Sequence, residues 1–399
     1  MTSNHKFLSY GRHYVDEADR RAVEDVLRGD WLTQGQTVTR FEEALAERVG
    51  AKYAISVTSG TAALHIAMLA SGMSPRDVSL TSAFTFVASA NAALYCGADS
   101  DLGDIDIDTL CLSNDAVAAY VDKSSYDVKT IVPVHYGGLS VNVGALKDIS
   151  PKSIIIEDAS HSLGGDDEQG RPIGSCADSD MAIFSFHPVK PITTGDGGMV
   201  TTNDKELYKR LLQFKGHGIV RGDDVVDIEQ ASDGIDSAPW YYEQQVLGYN
   251  YRMTDIQAAL GLSQLGKLDT FTKRRREIAK YYDQCFGDLI HMRPAQNRPE
   301  YRERSSHHLY VGLFDFEGLG CTKTQFMKKL RADGVGTQVH YIPVYRHPYH
   351  RKRLGDVAEH FPGTEQAYNQ ALSLPIFPSM RDEDVEHVVK VVRTHTGAT

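Results

Sequence analysis

Short apolar runs at 53–57, 78–81, 130–134, 154–157 and 182–186 punctuate the first 250 residues of this 399-residue chain, with helix-patterned stretches between them. Strands apolar on both faces must be covered on both, and strands separated by helices are joined by crossovers rather than hairpins. The pattern therefore predicts an α/β fold with a mostly parallel central sheet wrapped by helices. It also predicts where chemistry belongs, because open parallel sheets bind ligands outside the carboxyl ends of their strands.

The run Ser153-Ile-Ile-Ile-Glu-Asp158 brings two carboxylates to such an end and is followed by Ala159-Ser-His161. The run through Phe184-Ser185-Phe186 leads, by way of His187-Pro-Val, to Lys190 and then to Thr193-Thr-Gly-Asp-Gly-Gly198. A lysine beside a buried strand end is partly desolvated, which lowers its pKa and frees the amine to form a Schiff base with an aldehyde. Lys190 is thus the candidate catalytic amine. A carboxylate placed like Asp158 suits a pyridine nitrogen: the ion pair keeps that nitrogen protonated, so the ring can accept the electrons of a carbanion. Pyridoxal 5′-phosphate joins such a ring to such an aldehyde. His161 falls within reach of the same ring, at its phenolic oxygen. Taken alone, an acidic strand end also serves as a helix cap or metal ligand, and a lone histidine as a packed side chain.

A third piece, Ala54-Ile-Ser-Val-Thr-Ser-Gly60-Thr61-Ala-Ala-Leu-His-Ile-Ala67, reads as strand, small-residue turn and helix start. Gly60 lets the backbone approach an anion, while Thr61 and the free amides of the first helical turn supply donors aided by the helix dipole. The Ser185 hydroxyl adds a further phosphate contact. Alone this segment also reads as an ordinary capped helix.

In this order the three pieces resemble the DegT/StrS family of pyridoxal-phosphate-dependent sugar-nucleotide aminotransferases, from about Tyr10 to the last helix. Trp31-Leu-Thr-Gln-Gly35, Phe84-Thr-Phe-Val-Ala-Ser89, Glu157-Asp-Ala-Ser-His161 and Gly248-Tyr-Asn-Tyr-Arg-Met-Thr-Asp255 carry the likeness too. The resemblance implies fold type I, like aspartate aminotransferase, and a homodimer with shared active sites. Lys190 would hold the cofactor, Asp158 would pair with its ring nitrogen, and Phe86 would stack on the ring face. Asn250 would reach the cofactor phosphate of the neighbouring subunit; read by itself it is a turn residue before a helix. Some relatives carry histidine at the lysine position and dehydrate instead, so Lys190 implies transamination.

Ser185-Phe-His-Pro-Val-Lys190, Pro239-Trp-Tyr-Tyr-Glu-Gln-Gln245 and Thr337-Gln-Val-His-Tyr-Ile-Pro343 resemble the members that aminate a UDP-linked 4-keto-6-deoxy sugar on the route to pseudaminic acid. That likeness implies a nucleotide-sugar acceptor and L-glutamate as donor. Another 3- or 4-keto nucleotide sugar is the alternative acceptor. A protein that binds the cofactor or a nucleotide sugar as a sensor is the rival of another class. One departure is Gly195-Asp-Gly-Gly198, where the family usually has glutamate: the acid at Asp196 is one methylene shorter.

The chain carries 42 basic against 53 acidic residues, net −11, without the sustained basic patch that nucleic acid or an anionic membrane would require. Its five cysteines are scattered, without metal-ligand spacing, as expected of free thiols in a reducing cytoplasm. The first residues lack an apolar signal core, and no apolar run approaches the length of a membrane span.

The expected organisation is a large cofactor-binding domain with an N-terminal arm over 1–250 and a smaller C-terminal α/β domain over 251–399. In the latter, helical spacing predicts one long helix over 254–285 and further helices at 322–332, 364–372 and 382–392. Strands are predicted at 308–316 and 337–341, with His340 and Tyr341 lining the cleft. The acidic stretch 222–237 interrupts the pattern and reads as an exposed loop.

Overall fold

The computed structural model describes residues 7–124, 127–225, 232–233 and 236–397. Seven strands form the main sheet: β1 (Tyr53–Val57), β2 (Val78–Ser82), β3 (Asp99–Gly103), β4 (Val128–Val132), β5 (Ile154–Asp158), β6 (Met181–Ser185) and β7 (Gly198–Thr202). Their spatial order is β1-β7-β6-β5-β4-β2-β3. Every neighbouring pair is parallel except those made by β7, which runs against both β1 and β6. The reason lies in the connection. A parallel return needs a crossover, usually a helix; the loop 186–197 contains none, so β7 comes straight back beside β6 and the loop stays at the carboxyl end of the sheet. Lys190 rides on that loop.

Helices cover both faces: α1 (Glu17–Arg28), α2 (Gln36–Val49), α3 (Gly60–Ala70), α4 (Val87–Tyr95), α5 (Asn114–Lys123), α6 (Val143–Ile149) and α7 (Lys205–Lys215). Of these α3 is buried nearly all round by small and apolar residues, Ala62, Ala63, Leu64, Ile66, Ala67 and Met68, because it lies between the sheet and helices α4 and α7. The close fit extends to β7, where a Cβ at Gly198 would stand 2.4 Å from the Ser59 carbonyl oxygen.

The expected strand at 130–134 sits two residues earlier, at Val128–Val132, because Pro133 has no N–H to give the ladder. The expected long helix is two, α8 (Asp255–Leu265) and α9 (Leu268–Phe286). Gly266 lowers the helical preference at the break, and Lys267 turns its ammonium onto the fully buried Asp19 at 2.8 Å. Ser263 and Gln264 also donate to Asp19, at 2.6 and 2.8 Å, so α8 packs on α1 and α2.

A second sheet of three antiparallel strands follows, β8 (Met292–Pro294), β9 (Tyr310–Phe314) and β10 (Ala371–Leu374), in the order β8-β9-β10. Helices Lys323–Ala332 and Asp382–His395 pack with α9 over a core that includes Tyr282, Phe286, Tyr310, Phe314 and Phe326. The predicted helix at 364–372 is Pro362–Gln370, and its last expected residues belong to β10. No strand forms at 337–341. Only Gln338 bridges, to Ser373, because the chain leaves the sheet there to carry His340 and Tyr341 into the cleft. Of the acidic stretch 222–237, residues 226–231 and 234–235 lie outside the described residues. Among the described residues no helix is long and apolar enough to cross a membrane.

The two sheets share a core cluster in which Leu80, Ile131 and Ile155 meet Val311 and Leu313. Asp104 ties them again: its carboxylate accepts the Gly363 and Thr364 N–H groups, each at 2.8 Å, and the Thr364 hydroxyl at 2.7 Å, capping helix Pro362–Gln370. Asp104→Ala is expected to destabilise the protein by about 1–3 kcal/mol, measured by urea unfolding. A loss within error of zero would remove Asp104 from this account.

Candidate active site

A cavity of about 350 Å³ opens at the carboxyl ends of β5 and β6, and Gly60, Thr61, Phe86, Asp158, His161, Ser185 and Lys190 all line it. Asn250 does not; it is exposed, in an isolated bridge with Gly216.

Lys190 is half-buried, and it lines the cavity together with Asp158. That burial lowers its pKa from an ordinary 10.5 to about 8, while the Asp158 carboxylate pulls in the other direction. The turn that presents it is closed by the Lys190 N–H donating to the His187 carbonyl at 2.9 Å, and by Thr194 N–H returning to the Phe186 carbonyl at 3.0 Å.

Asp158 ends β5 and is 6% exposed. Ser89 of α4 donates to its Oδ2 at 2.7 Å, and the Ser160 N–H donates to its Oδ1 at 3.2 Å. Each oxygen keeps a lone pair, so the carboxylate is aimed but not used up.

At the start of α3, Ser59 is the cap: its hydroxyl accepts the Ala62 N–H at 3.1 Å, and its carbonyl takes the Ala63 N–H at 3.0 Å. The amides of Gly60 and Thr61, which no helical carbonyl can reach, are left for a ligand. A Cβ on Gly60 would stand 2.9 Å from the Ser185 Cβ, so glycine is what lets the end of β6 close against this helix start. Backbone amides, two hydroxyls and the dipole form a cradle for a phosphate.

Phe86 is 57% exposed at the cap of α4, its ring centroid 5.9 Å from that of Tyr341. It is no core phenylalanine; its bare face is available to a flat ring. His161 is buried, with its Nδ1 taking the Gly137 N–H at 3.2 Å and its Nε2 3.0 Å from the Tyr341 hydroxyl. Burial first, then the nearby Lys190 and His340, push its pKa far below the ordinary value.

Several contributors gave little sign in the sequence. Ser89 follows Phe86 by three positions, one helical turn, which is the only local hint that it faces the same way. His308 packs its ring at a tilt of 43° against that of His161, with centroids 4.5 Å apart. Its carbonyl is held at 3.2 Å by the buried Arg275, which also holds the Ile376 carbonyl at 2.8 Å. Tyr10, on the N-terminal arm, enters the cavity and meets His340 edge-on at 5.0 Å. Asp196, by contrast, is the acid already singled out in the sequence; it lies on the rim with its carbonyl fixed by Gln257 at 2.7 Å.

A partly desolvated lysine, a carboxylate, an anion-binding helix start and an exposed aromatic ring in one cavity make the donor set that suits pyridoxal phosphate and a transaminase-type centre. The chain belongs to the DegT/DnrJ/EryC1/StrS aminotransferase family, whose pattern matches residues 13–393. It is 37% identical over 383 residues to the UDP-4-amino-4,6-dideoxy-N-acetyl-β-L-altrosamine transaminase of Campylobacter jejuni, covering 96% of this chain and 95% of that one. Helicobacter pylori PseC, an aminotransferase involved in the biosynthesis of pseudoaminic acid, has a TM-score of 0.87 at 31% identity, covering 98% of this chain and 100% of its own. The PLP form of the putative sugar aminotransferase Spr1654 from Streptococcus pneumoniae has a TM-score of 0.86 at 25% identity, covering 98% and 99%. The protein is a sugar aminotransferase with fold type I architecture.

The lowered proton affinity of Lys190 is directly measurable. In cofactor-free protein its reductive methylation, followed by peptide mass spectrometry, should reach half its maximal rate near pH 8, because only the neutral amine reacts. Asp158→Asn removes the charge that favours the ammonium, so the midpoint should fall further. A midpoint near 10.5 in the wild-type protein would contradict the buried-amine account.

Proposed function

We propose that this chain transfers an amino group from L-glutamate to the 4-keto carbon of a nucleotide-linked 6-deoxy sugar, with pyridoxal 5′-phosphate as cofactor. The proposed acceptor is UDP-2-acetamido-2,6-dideoxy-β-L-arabino-hex-4-ulose, a step towards pseudaminic acid or a related surface glycan. The observation that carries the reading is the half-buried Lys190, its amine lowered in pKa by desolvation, lining one cavity with the Asp158 carboxylate. The names of the Campylobacter and Helicobacter relatives support the choice of sugar.

When bound, the cofactor supplies an aldehyde to carry the amino group and a ring to take up electrons from the neighbouring carbon. Lys190 would hold it and, once displaced, would move a proton from the donor's α-carbon through Nζ; a pKa lowered to about 8 brings the neutral fraction near pH 7 to roughly a tenth, far above that of an ordinary lysine. Asp158, aimed by Ser89, keeps the ring nitrogen protonated. Gly60, Thr61 and Ser185 bind the phosphate, and Phe86 covers one ring face and excludes water from it. L-Glutamate leaves as its 2-oxo acid, and the ketone oxygen of the sugar leaves as water. Asn250, exposed and outside its own chain's cavity, is assigned to the phosphate of the neighbouring subunit in a homodimer with shared sites. The working organisation is a large domain over 1–250 and a smaller one over 251–399.

The test is incubation of the cofactor-loaded protein with L-glutamate and a panel of keto sugars linked to UDP, dTDP or GDP, followed by mass spectrometry of the sugar and assay of 2-oxoglutarate. The UDP-linked 4-keto sugar should be aminated fastest, and Lys190→Ala should lower turnover by at least about 10³-fold. Faster amination of a dTDP- or GDP-linked sugar would replace the acceptor. Absence of any glutamate-dependent product across the panel would defeat the reading.

A further inference from the structure

Both ring nitrogens of His161 are already engaged, and the partners fix its proton. The Gly137 N–H is a backbone amide and can only donate, so the Nδ1 it meets at 3.2 Å must be bare. A neutral imidazole with a bare Nδ1 carries its hydrogen on Nε2, and the group 3.0 Å from Nε2 is the Tyr341 hydroxyl. His161 therefore donates to Tyr341 Oη. The Tyr341 proton must then point elsewhere, and among the described residues the hydroxyl makes no second hydrogen bond. It faces the cavity, which Tyr341 lines together with Lys190 and Phe86.

The rest of the arrangement holds this direction. Gly137 adopts φ +68° and Gly138 φ +110°, left-handed backbone that turns the Gly137 amide back to His161 at little cost for glycine. Tyr136 donates its hydroxyl to the His340 carbonyl, and His340 Nδ1 is 2.8 Å from the Ser373 hydroxyl, so the residue that precedes Tyr341 is held by both its backbone and its side chain. Burial raises the phenol's pKa well above the ordinary value, which leaves Tyr341 a donor throughout the working range.

We infer that Tyr341 is the hydroxyl donor to the phenolic oxygen of the bound pyridoxal ring, and that His161 is a positioning residue that serves that oxygen through Tyr341. The inference rests on the proposed cofactor and revises how His161 reaches the ring: with Nε2 spent on Tyr341 and Nδ1 on Gly137, the imidazole has no hydrogen left for the cofactor. The chemistry asked of Tyr341 is neutral donation to an anionic oxygen next to the nitrogen that joins Lys190 to the cofactor.

The experiment is a pH titration of the visible absorption band of the cofactor-loaded protein, with pyridoxal phosphate as the only ligand. Without the Tyr341 donor the ring oxygen carries more unrelieved negative charge and holds the neighbouring proton harder, so Tyr341→Phe should raise the midpoint by roughly one pH unit. His161→Leu should raise it similarly, and adding it to Tyr341→Phe should give no further shift, as expected of two residues acting in series. His161→Gln, whose amide can replace the Nε2 donor, should restore most of the wild-type midpoint.

Equal shifts from His161→Leu in the presence and absence of the Tyr341 hydroxyl would show that His161 contacts the cofactor itself, and would overturn the inference. So would an unchanged midpoint in Tyr341→Phe, whatever its effect on KM for the sugar. Failure of the wild-type protein to take up pyridoxal phosphate would defeat the proposed function instead.

Discussion

A partly desolvated primary amine within the influence of a buried carboxylate is the arrangement on which everything else in this molecule depends. Burial alone would drive the Lys190 proton off, and the Asp158 charge alone would hold it on; the balance leaves the amine at about 8. The sheet topology makes the pairing possible. β5 and β6 are adjacent and parallel, so the carboxylate at the end of one and the loop leaving the other reach the same edge. The antiparallel β7 then carries the chain away without a helix, leaving the lysine loop as the wall of a cavity.

Around that pair, the fold supplies fixed donors rather than mobile ones. The proposed phosphate cradle is made from backbone amides and a strand-end serine held together by a glycine contact. Asp158 is oriented by Ser89, which sits on a helix packed against α3 through buried apolar side chains. Parts from distant sequence meet in the cavity: Tyr10 from the arm, and His308, His340 and Tyr341 from the C-terminal portion. Groups positioned before the substrate arrives need no rearrangement when charge develops, which is where such centres gain rate.

Much of this was legible in the sequence because it is local. Strand burial, the acid at the end of 154–158, the glycine turn after Lys190 and the Ser-Gly-Thr helix start are all written in contiguous residues. What was not legible depends on contacts across long separations. The helical spacing through 254–285 runs past Gly266 without a visible break; the break reflects Lys267 and Gln264 reaching back to Asp19. The 337–341 segment, with Thr337, Val339 and Tyr341 in alternation, has strand-like composition, but it leaves β10 after a single bridge to enter the cleft. Ser89 as the partner of Asp158, and Gly137 as the group that sets the His161 tautomer, involve residues 69 and 24 positions apart, for which composition offers no signal.

The most direct test of the central claim is the absorption spectrum of the purified, pyridoxal-phosphate-loaded protein before and after addition of L-glutamate. The account predicts a visible band that fades as a near-ultraviolet band grows, that returns when a keto-sugar nucleotide is added, and that is missing in Lys190→Ala. A wild-type protein whose spectrum matches free cofactor and does not respond to glutamate would contradict it, because the lysine would then not be the group that carries the chemistry.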